Sequence, residues 1–253
     1  MTDVCFVADM GSQNPVDFAK LKAAEYQTHK CEGVILRAQR SNGEIDAQFQ
    51  PRCEAAMPLG FLPGAYAFNT GETAKAQADR FAGVTRPFAK LLRALDFETY
   101  PQGGNMSFDA ALEFMERTDQ TFGVATWMYS GNRLKELVIH ATDAQRTFLD
   151  KHPLWGCEYG PKWRNVDVNG HTLPMTMQLW QFTDGSVGPQ PHTFNGLEAH
   201  ADVSIFQGTR EQLEAIWYGA PLVAPAAAVT AQMAPVEQTS VLDHLETVVG
   251  RWV

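Results

Sequence analysis

The sequence contains no Cys-x-x-Cys pair and no His-x-x-His or His-Glu-x-x-His run. The first absence disfavours a zinc knuckle or a redox dithiol, and the second a catalytic zinc site. Its four cysteines, Cys5, Cys31, Cys53 and Cys157, lie far apart in a chain of 253 residues. A chain of that length builds a large core without staples, so buried free thiols are expected. No window approaches the ~18 uninterrupted apolar residues of a membrane span. Basic residues are scarce: 20 Lys and Arg against 29 Asp and Glu leave a net charge of -9. A nucleic-acid surface needs a basic stripe, so that class is disfavoured. The same charge gives no attraction to an anionic wall or membrane, and affinity for such a target has to come from a shaped cleft. No Gly-rich phosphate loop follows the first apolar run, which disfavours an open dinucleotide-binding sheet. No repeat of fixed period is visible. The opening MTDVCFVADMGSQ has an early acid and no basic leader, so a secretory signal is not expected.

What the chain does have is alternation. Short apolar runs at Val4–Ala8, Gly33–Ala38, Phe61–Phe68, Leu91–Asp96 and Val124–Ser130 read as strands. Helical patterns separate them at Pro15–Gln27, Ala47–Met57, Thr73–Gly83 and Ser107–Thr121, with helical turns in Arg133–Asp150. Pro63 and Gly64 predict an irregular third strand. The rhythm then changes: Leu154–Tyr159, Met177–Phe182 and Val203–Phe206 read as strands joined by loops, and Thr209 caps a last helix, Arg210–Trp217. Repeated strand–helix units imply parallel strands with right-handed crossovers. The expected fold is α/β: a single TIM-like barrel over residues 1–218, helix-poor in its last three strands. Residues 219–238 read as an Ala/Pro-rich linker, since ten of the sixteen residues 220–235 are Ala or Pro. Residues 239–253 carry an apolar stripe (Val241, Leu242, Leu245, Val248, Val249, Trp252) expected to form an amphipathic helix that packs back on the domain, self-associates or anchors it.

LLRALDFETYP (91–101) is the most informative stretch. Its apolar run ends at Asp96 and Glu98. Side chains alternate along a strand, so the two acids share a side and Phe97 takes the other. Two acids on one side are the minimum apparatus for cutting a glycosidic bond, and parallel barrels place their chemistry at the carboxyl ends of strands. Other strand ends carry matching residues: Asp9 on the first, Tyr66 and Phe68 on the third, Trp127 and Tyr129 on the fifth, Trp155 and Tyr159 on the sixth, Trp180 and Gln181 on the seventh. Asp202 stands just before the eighth. Carboxylates ringed by aromatics suit a sugar polymer, because ring faces stack on pyranoses. Taken singly, each has a plainer reading: Asp9 as a turn residue, the aromatics as core, Arg37 as the partner of a structural acid.

These segments, taken in order, resemble glycoside hydrolase family 25, the lysozymes. The likeness runs over most of residues 4–217: Asp9 at the end of the first strand, VDFAKLKA (16–23), GVILRA (33–38), the spaced Asp46, Phe49, Ala56 and Gly60, LGFLPGAYAF with AKAQADRF (74–81), LDFE, WGCEY (155–159), LWQFTDG (179–185) and ADVSIFQG (201–208). Departures are Met10-Gly11 after the first aspartate, Ala67 in place of the His of a Tyr-His-Phe signature, and Ser204 in place of Asn. The resemblance implies cleavage of the β-1,4 bond between N-acetylmuramic acid and N-acetylglucosamine in peptidoglycan, with no metal or cofactor. It implies Glu98 as general acid, Asp96 as the charge that steadies the sugar ring, and Asp9 and Asp202 as positioning acids. Tyr66, Phe68, Tyr129, Trp155, Tyr159, Trp180, Gln181 and Arg37 are then the expected substrate contacts. With no secretory leader expected, the simplest setting is a phage endolysin held in the host cytoplasm until a holin-type pore releases it, with a virion-borne lysin as the runner-up. The alternative is a barrel that binds glycans without cutting them, or a structural part of a phage particle.

Overall fold

The apolar runs form strands buried on both faces. On Val4–Met10 (β1), Cys5 and Val7 enter one apolar cluster while Phe6, Ala8 and Met10 enter another. The first cluster fills the lumen of a barrel; the second lies between the barrel wall and the surrounding helices. A computed structural model of the chain describes residues 3–100, 104–160, 162–197 and 201–219. The expected linker and C-terminal helix, residues 220–253, lie outside the described residues.

After β1 come α1 (Phe18–Ala23), a two-residue strand β2 (Glu25–Tyr26), β3 (His29–Gln39), α2 (Phe49–Ala56), β4 (Leu62–Phe68), α3 (Ala74–Thr85), β5 (Leu92–Asp96) and α4 (Phe108–Phe122). They are followed by β6 (Trp127–Ser130), α5 (Asn132–Leu137), α6 (Asp143–Leu149), β7 (Pro153–Cys157), β8 (Thr176–Thr183), β9 (Asp202–Gln207) and α7 (Arg210–Trp217). The barrel order is β1-β9-β8-β7-β6-β5-β4-β3, and β1 closes it by pairing with β3. The α/β barrel read from the sequence is thus present, with the helix-poor last third that was expected.

Three details differ from expectation. The strands are not all parallel: β9 runs antiparallel to both β8 and β1. The helix expected over 15–27 is only Phe18–Ala23. Asp17 caps it, and the chain then turns back through β2 and β3, with Gln27 and Thr28 at positive φ. The third barrel strand is not broken at Pro63 and Gly64: β4 pairs with β5 without a shift, and its register with β3 slips only at Arg37/Gln39, opposite Tyr66 and Ala67. Pro63 is the second residue of the strand, and the ladder to β5 begins only after it, at Gly64.

Helix α7 shows why Gly64 is there. Leu213 and Trp217 plug the floor of the barrel, and the Trp217 indole donates to the Pro63 carbonyl at 2.6 Å. A Cβ on Gly33 would lie 2.8 Å from the indole, and one on Gly64 3.3 Å from it. The floor is therefore sealed by a side chain that two glycines admit, and the lumen opens at the other end. Cys5, Cys31 and Cys53 are buried free thiols; Cys157 is half-buried. Among the described residues no helix is long and apolar enough to cross a membrane.

Candidate active site

The barrel ladder brings the acids together. Asp9, near the end of β1, faces Asp202, the first residue of β9. Asp96 ends β5, with Phe68 opposite it on β4 and Tyr129 opposite it on β6. The reversed direction of β9 makes this possible: a parallel last strand would put its first residue at the floor. Glu98 follows β5 by two residues, and Phe97 between the acids is turned into the outer layer. Asp96 and Glu98 therefore share a side, as the alternation predicts.

Burial in this mouth opposes ionisation of all four acids. It pushes Asp9 well above the usual carboxylate range, helped by Asp202 and opposed by a hydrogen bond from Gln181. It does the same to Asp96, helped by Glu98, Asp9 and Asp202 and opposed by Arg37. Glu98 is raised by burial, against the Tyr129 hydroxyl beside it. Asp202 rises from 3.8 to about 7 through burial, then through Asp184 and Glu98. Asp9, Asp96 and Asp202 each feel the charge of Glu98, so the four acids share one hollow. Asp96 is 6% exposed, and its Oδ1 has no hydrogen-bond partner among the described residues.

The backbone under these acids is clamped. Asn69, just after β4, donates through Nδ2 to the carbonyls of Asp96 (3.1 Å) and Glu98 (2.9 Å), and its Oδ1 accepts from the Met106 amide. The Ser130 hydroxyl donates to the Phe97 carbonyl at 2.8 Å. Arg133 donates to the carbonyls of Glu98 and Met106 while its guanidinium covers the Phe97 ring. Such bracing holds an acid in one geometry without solvent help.

Not every expected contact faces the mouth. Trp180 does not: it alternates with Leu179 and Gln181, so its ring enters the outer layer with Phe182, and its indole donates to the Glu158 carbonyl. Trp155 faces the lumen but is 2% exposed, against Tyr66 and Tyr129, with its indole bonded to Ser204. It supports the tyrosines and offers no open face. Arg37 stands at the mouth, but Asp46 (3.0 Å), Ser12 (3.2 Å) and Gln13 (2.7 Å) hold its guanidinium. Its structural reading is the better one. Gln181 is 2% exposed and bonds to protein groups, not outward. Tyr66 and Tyr129 are buried walls, while Phe68 and Tyr159 form the open rim.

Reading the sequence missed Asn69, Ser130, Arg133, Asp184 and Tyr100, whose ring meets Phe68 edge-on at 5.6 Å. Asn69 and Asp184 directly follow strand ends, a placement that could have flagged them. Arg133 acts on a loop 35 residues away and leaves no local signal. Among the described residues no group of His, Cys, Asp or Glu is arranged to hold a metal ion.

Comparison with known proteins places this geometry. The chain matches the profile of "Glycosyl hydrolases family 25" over residues 10–190. No curated protein matches it. Among solved structures, the bacterial lysozyme from Streptomyces coelicolor aligns with a TM-score of 0.67 at 19% identity, covering 85% of this chain and 97% of that one. A muramidase from Trichobolus zukalii aligns at 0.64 and 20%, covering 85% and 99%. The catalytic domain of endolysin ply40, from bacteriophage P40 of Listeria monocytogenes, aligns at 0.55 and 16%, covering 85% and 98%. At such identities the structural likeness speaks for the fold, and the profile match over most of the chain speaks for descent. The chain belongs to glycosyl hydrolases family 25, and it is a glycosidase.

Proposed function

We propose that this glycosidase cuts the β-1,4 bond between N-acetylmuramic acid and N-acetylglucosamine in peptidoglycan. The observation that carries the reading is the shared hollow: four acids from three strands and one loop, each with its carboxyl raised, at the one open end of the barrel. A carboxyl raised by burial can stay protonated near neutral pH and give its proton to a leaving oxygen. Glu98 takes this role, since it lies past the strand end and is less buried than Asp9 and Asp96. Asp96 sits deeper with one bare oxygen, and it steadies the positive charge that develops on the sugar ring. Asp9 and Asp202 flank the pair and position the 2-acetamido group or water. Phe68, Tyr100 and Tyr159 supply faces for the sugars.

The test is Glu98→Gln on purified peptidoglycan, with mass spectrometry of the fragments. The native protein is expected to leave N-acetylmuramic acid at the new reducing end. The variant should remain folded and lose at least about a hundredfold in rate. Near-native clearing by the variant would remove Glu98 from the acid role, and a new reducing end on N-acetylglucosamine would change the bond. The biological setting we infer is that of a phage endolysin acting on the wall from inside the host. It is checked by whether expressed protein lyses cells only when a membrane pore is made with it.

A further inference from the structure

The carboxyl ends of β1 and β3 carry a second cluster of charge, opposite in sign to the acids. Ile35 on β3 stands opposite Asp9 on β1, so Arg37, two residues on, lies on the same face one side-chain layer nearer the rim. The chain leaving β1 passes close by: a Cβ on Gly11 would lie 2.5 Å from the Arg37 guanidinium carbon. The Ser12 hydroxyl accepts from Arg37 at 3.2 Å and from Arg40 at 2.8 Å. Buried Asp46 accepts from Arg37 Nε at 3.0 Å and from the Ser12 amide at 3.1 Å, with Arg40 Nε 3.8 Å away. Arg52 donates to the carbonyls of Gly11 and Asn14, both at 2.6 Å.

Bracing alone does not account for this cluster. Arg37, Arg40 and Arg52 gather round Asp46, which alone ion-pairs with any of them among the described residues. The excess charge is positive, in a chain whose net charge is -9. Donors are also left over. A hydroxyl oxygen has two lone pairs, and the two guanidiniums take those of Ser12. Its proton points away from them and meets no acceptor among the described residues. Arg40 donates through Nη2 alone, its Nη1 meets no acceptor there either, and its side chain is 39% exposed.

We propose that Ser12 and Arg40 form an anion subsite on the rim of the mouth, which takes a carboxylate of the glycan substrate. Arg37, Asp46 and Arg52 hold it in shape. The inference rests on the peptidoglycan reading. There a muramoyl residue bears a lactyl group, which ends in a carboxylate where no peptide stem is attached, and an attached stem brings carboxylates of its own. Either source offers two oxygens to two neighbouring donors, Arg40 Nη1 and the Ser12 hydroxyl. A polymer of N-acetylglucosamine offers none, so the subsite discriminates between cell-wall glycan and chitin.

The test is nitrogen-15 NMR of the native protein labelled at arginine, with the Arg40 side-chain signal assigned by its loss in Arg40→Gln. N-acetylmuramic acid should move that signal, and its lactyl methyl ester should not. The dipeptide L-alanyl-γ-D-glutamate probes the other source. A response to the sugar acid assigns the lactyl carboxylate, and a response to the dipeptide assigns the stem; both uphold the subsite. Silence toward both, an equal response to the ester, or a response to inorganic phosphate alone would overturn it. On peptidoglycan, Arg40→Gln should raise KM about tenfold, the worth of one charge-assisted hydrogen bond partly open to water, with a smaller fall in kcat. Salt should narrow the gap from the native protein, and Arg40→Lys should recover part of it. An unchanged KM in a folded Arg40→Gln would also overturn the proposal. An Arg40 response in a protein that leaves peptidoglycan uncut would uphold the subsite and refute the cleavage reading, and cleavage with Arg40 silent would do the reverse.

Discussion

Asp202→Asn is expected to stabilise the protein at neutral pH and to do nothing for it in acid. The native carboxyl titrates near 7 in place of 3.8, because it is buried beside Asp184 and Glu98. Between those two values the folded state holds a proton that the unfolded chain has released. The contribution of this group to folding stability therefore falls as pH rises from about 4 to 7 and levels off above. At about 1.4 kcal/mol per pH unit the difference sets a ceiling of roughly 4 kcal/mol at pH 7.5. The realised gain should be smaller. Part of the shift is shared with neighbouring acids that remain, and a buried amide still has to be desolvated. A gain of about 1–2 kcal/mol, some 3–6 °C in Tm for a domain of this size, is the working figure. The assay is thermal unfolding of both proteins at pH 4.0 and 7.5, with the Tm difference compared between the two. An equal difference at both pH values, or a native protein more stable than the variant at pH 7.5, would refute the electrostatic account.

Three further outcomes are expected. Asn69→Ala removes two donors from the carbonyls flanking Phe97, so kcat on peptidoglycan should fall about 10–100-fold with a smaller change in KM, measured by steady-state release of reducing ends. Trp217→Ala opens the floor and leaves the Pro63 carbonyl without its donor; chemical denaturation should show a loss of about 3–5 kcal/mol, with no new pH dependence. Trp180→Phe deletes an indole that points away from the mouth, so activity should stay within about threefold while stability drops by about 1–2 kcal/mol from the lost bond to Glu158.

Much of the fold is legible in the sequence because strands buried on both faces are apolar throughout, and helices with one wet face are not. The run from Leu92 to Asp96 and the capped helix after Ser107 stand out for that reason. Asp96 and Glu98 are legible too, since two acids at the end of an apolar run have no packing purpose. Direction is not legible: Asp202–Gln207 has the same composition whichever way it runs, and only closure against β1 makes it antiparallel. Side-chain facing fails where a strand carries large residues on both faces. Trp180 and Gln181 are neighbours, and nothing in their identities tells which looks inward. The backbone clamps are hidden for another reason. Asn69 and Arg133 act through carbonyls, which every residue has, so no spacing of side chains betrays them.

Burial alone does not separate the two central acids, and on that ground Asp96, the deeper one, would be the harder to ionise. The difference lies in what each faces. Arg37, held in place by Asp46, pulls on the Asp96 carboxyl, whereas Arg133 bonds the backbone carbonyl of Glu98. Asp96 also has a buried oxygen with no hydrogen-bond partner among the described residues. A carboxylate left bare in a low-dielectric hollow is costly at rest and strongly attractive to any cation that forms beside it. A glycosidic bond breaking in the mouth forms such a cation on the sugar ring. The cost of ionising Asp96 is then offset at the moment of reaction by the charge it stabilises. Separation of the two roles needs no difference in depth, only this difference in partners.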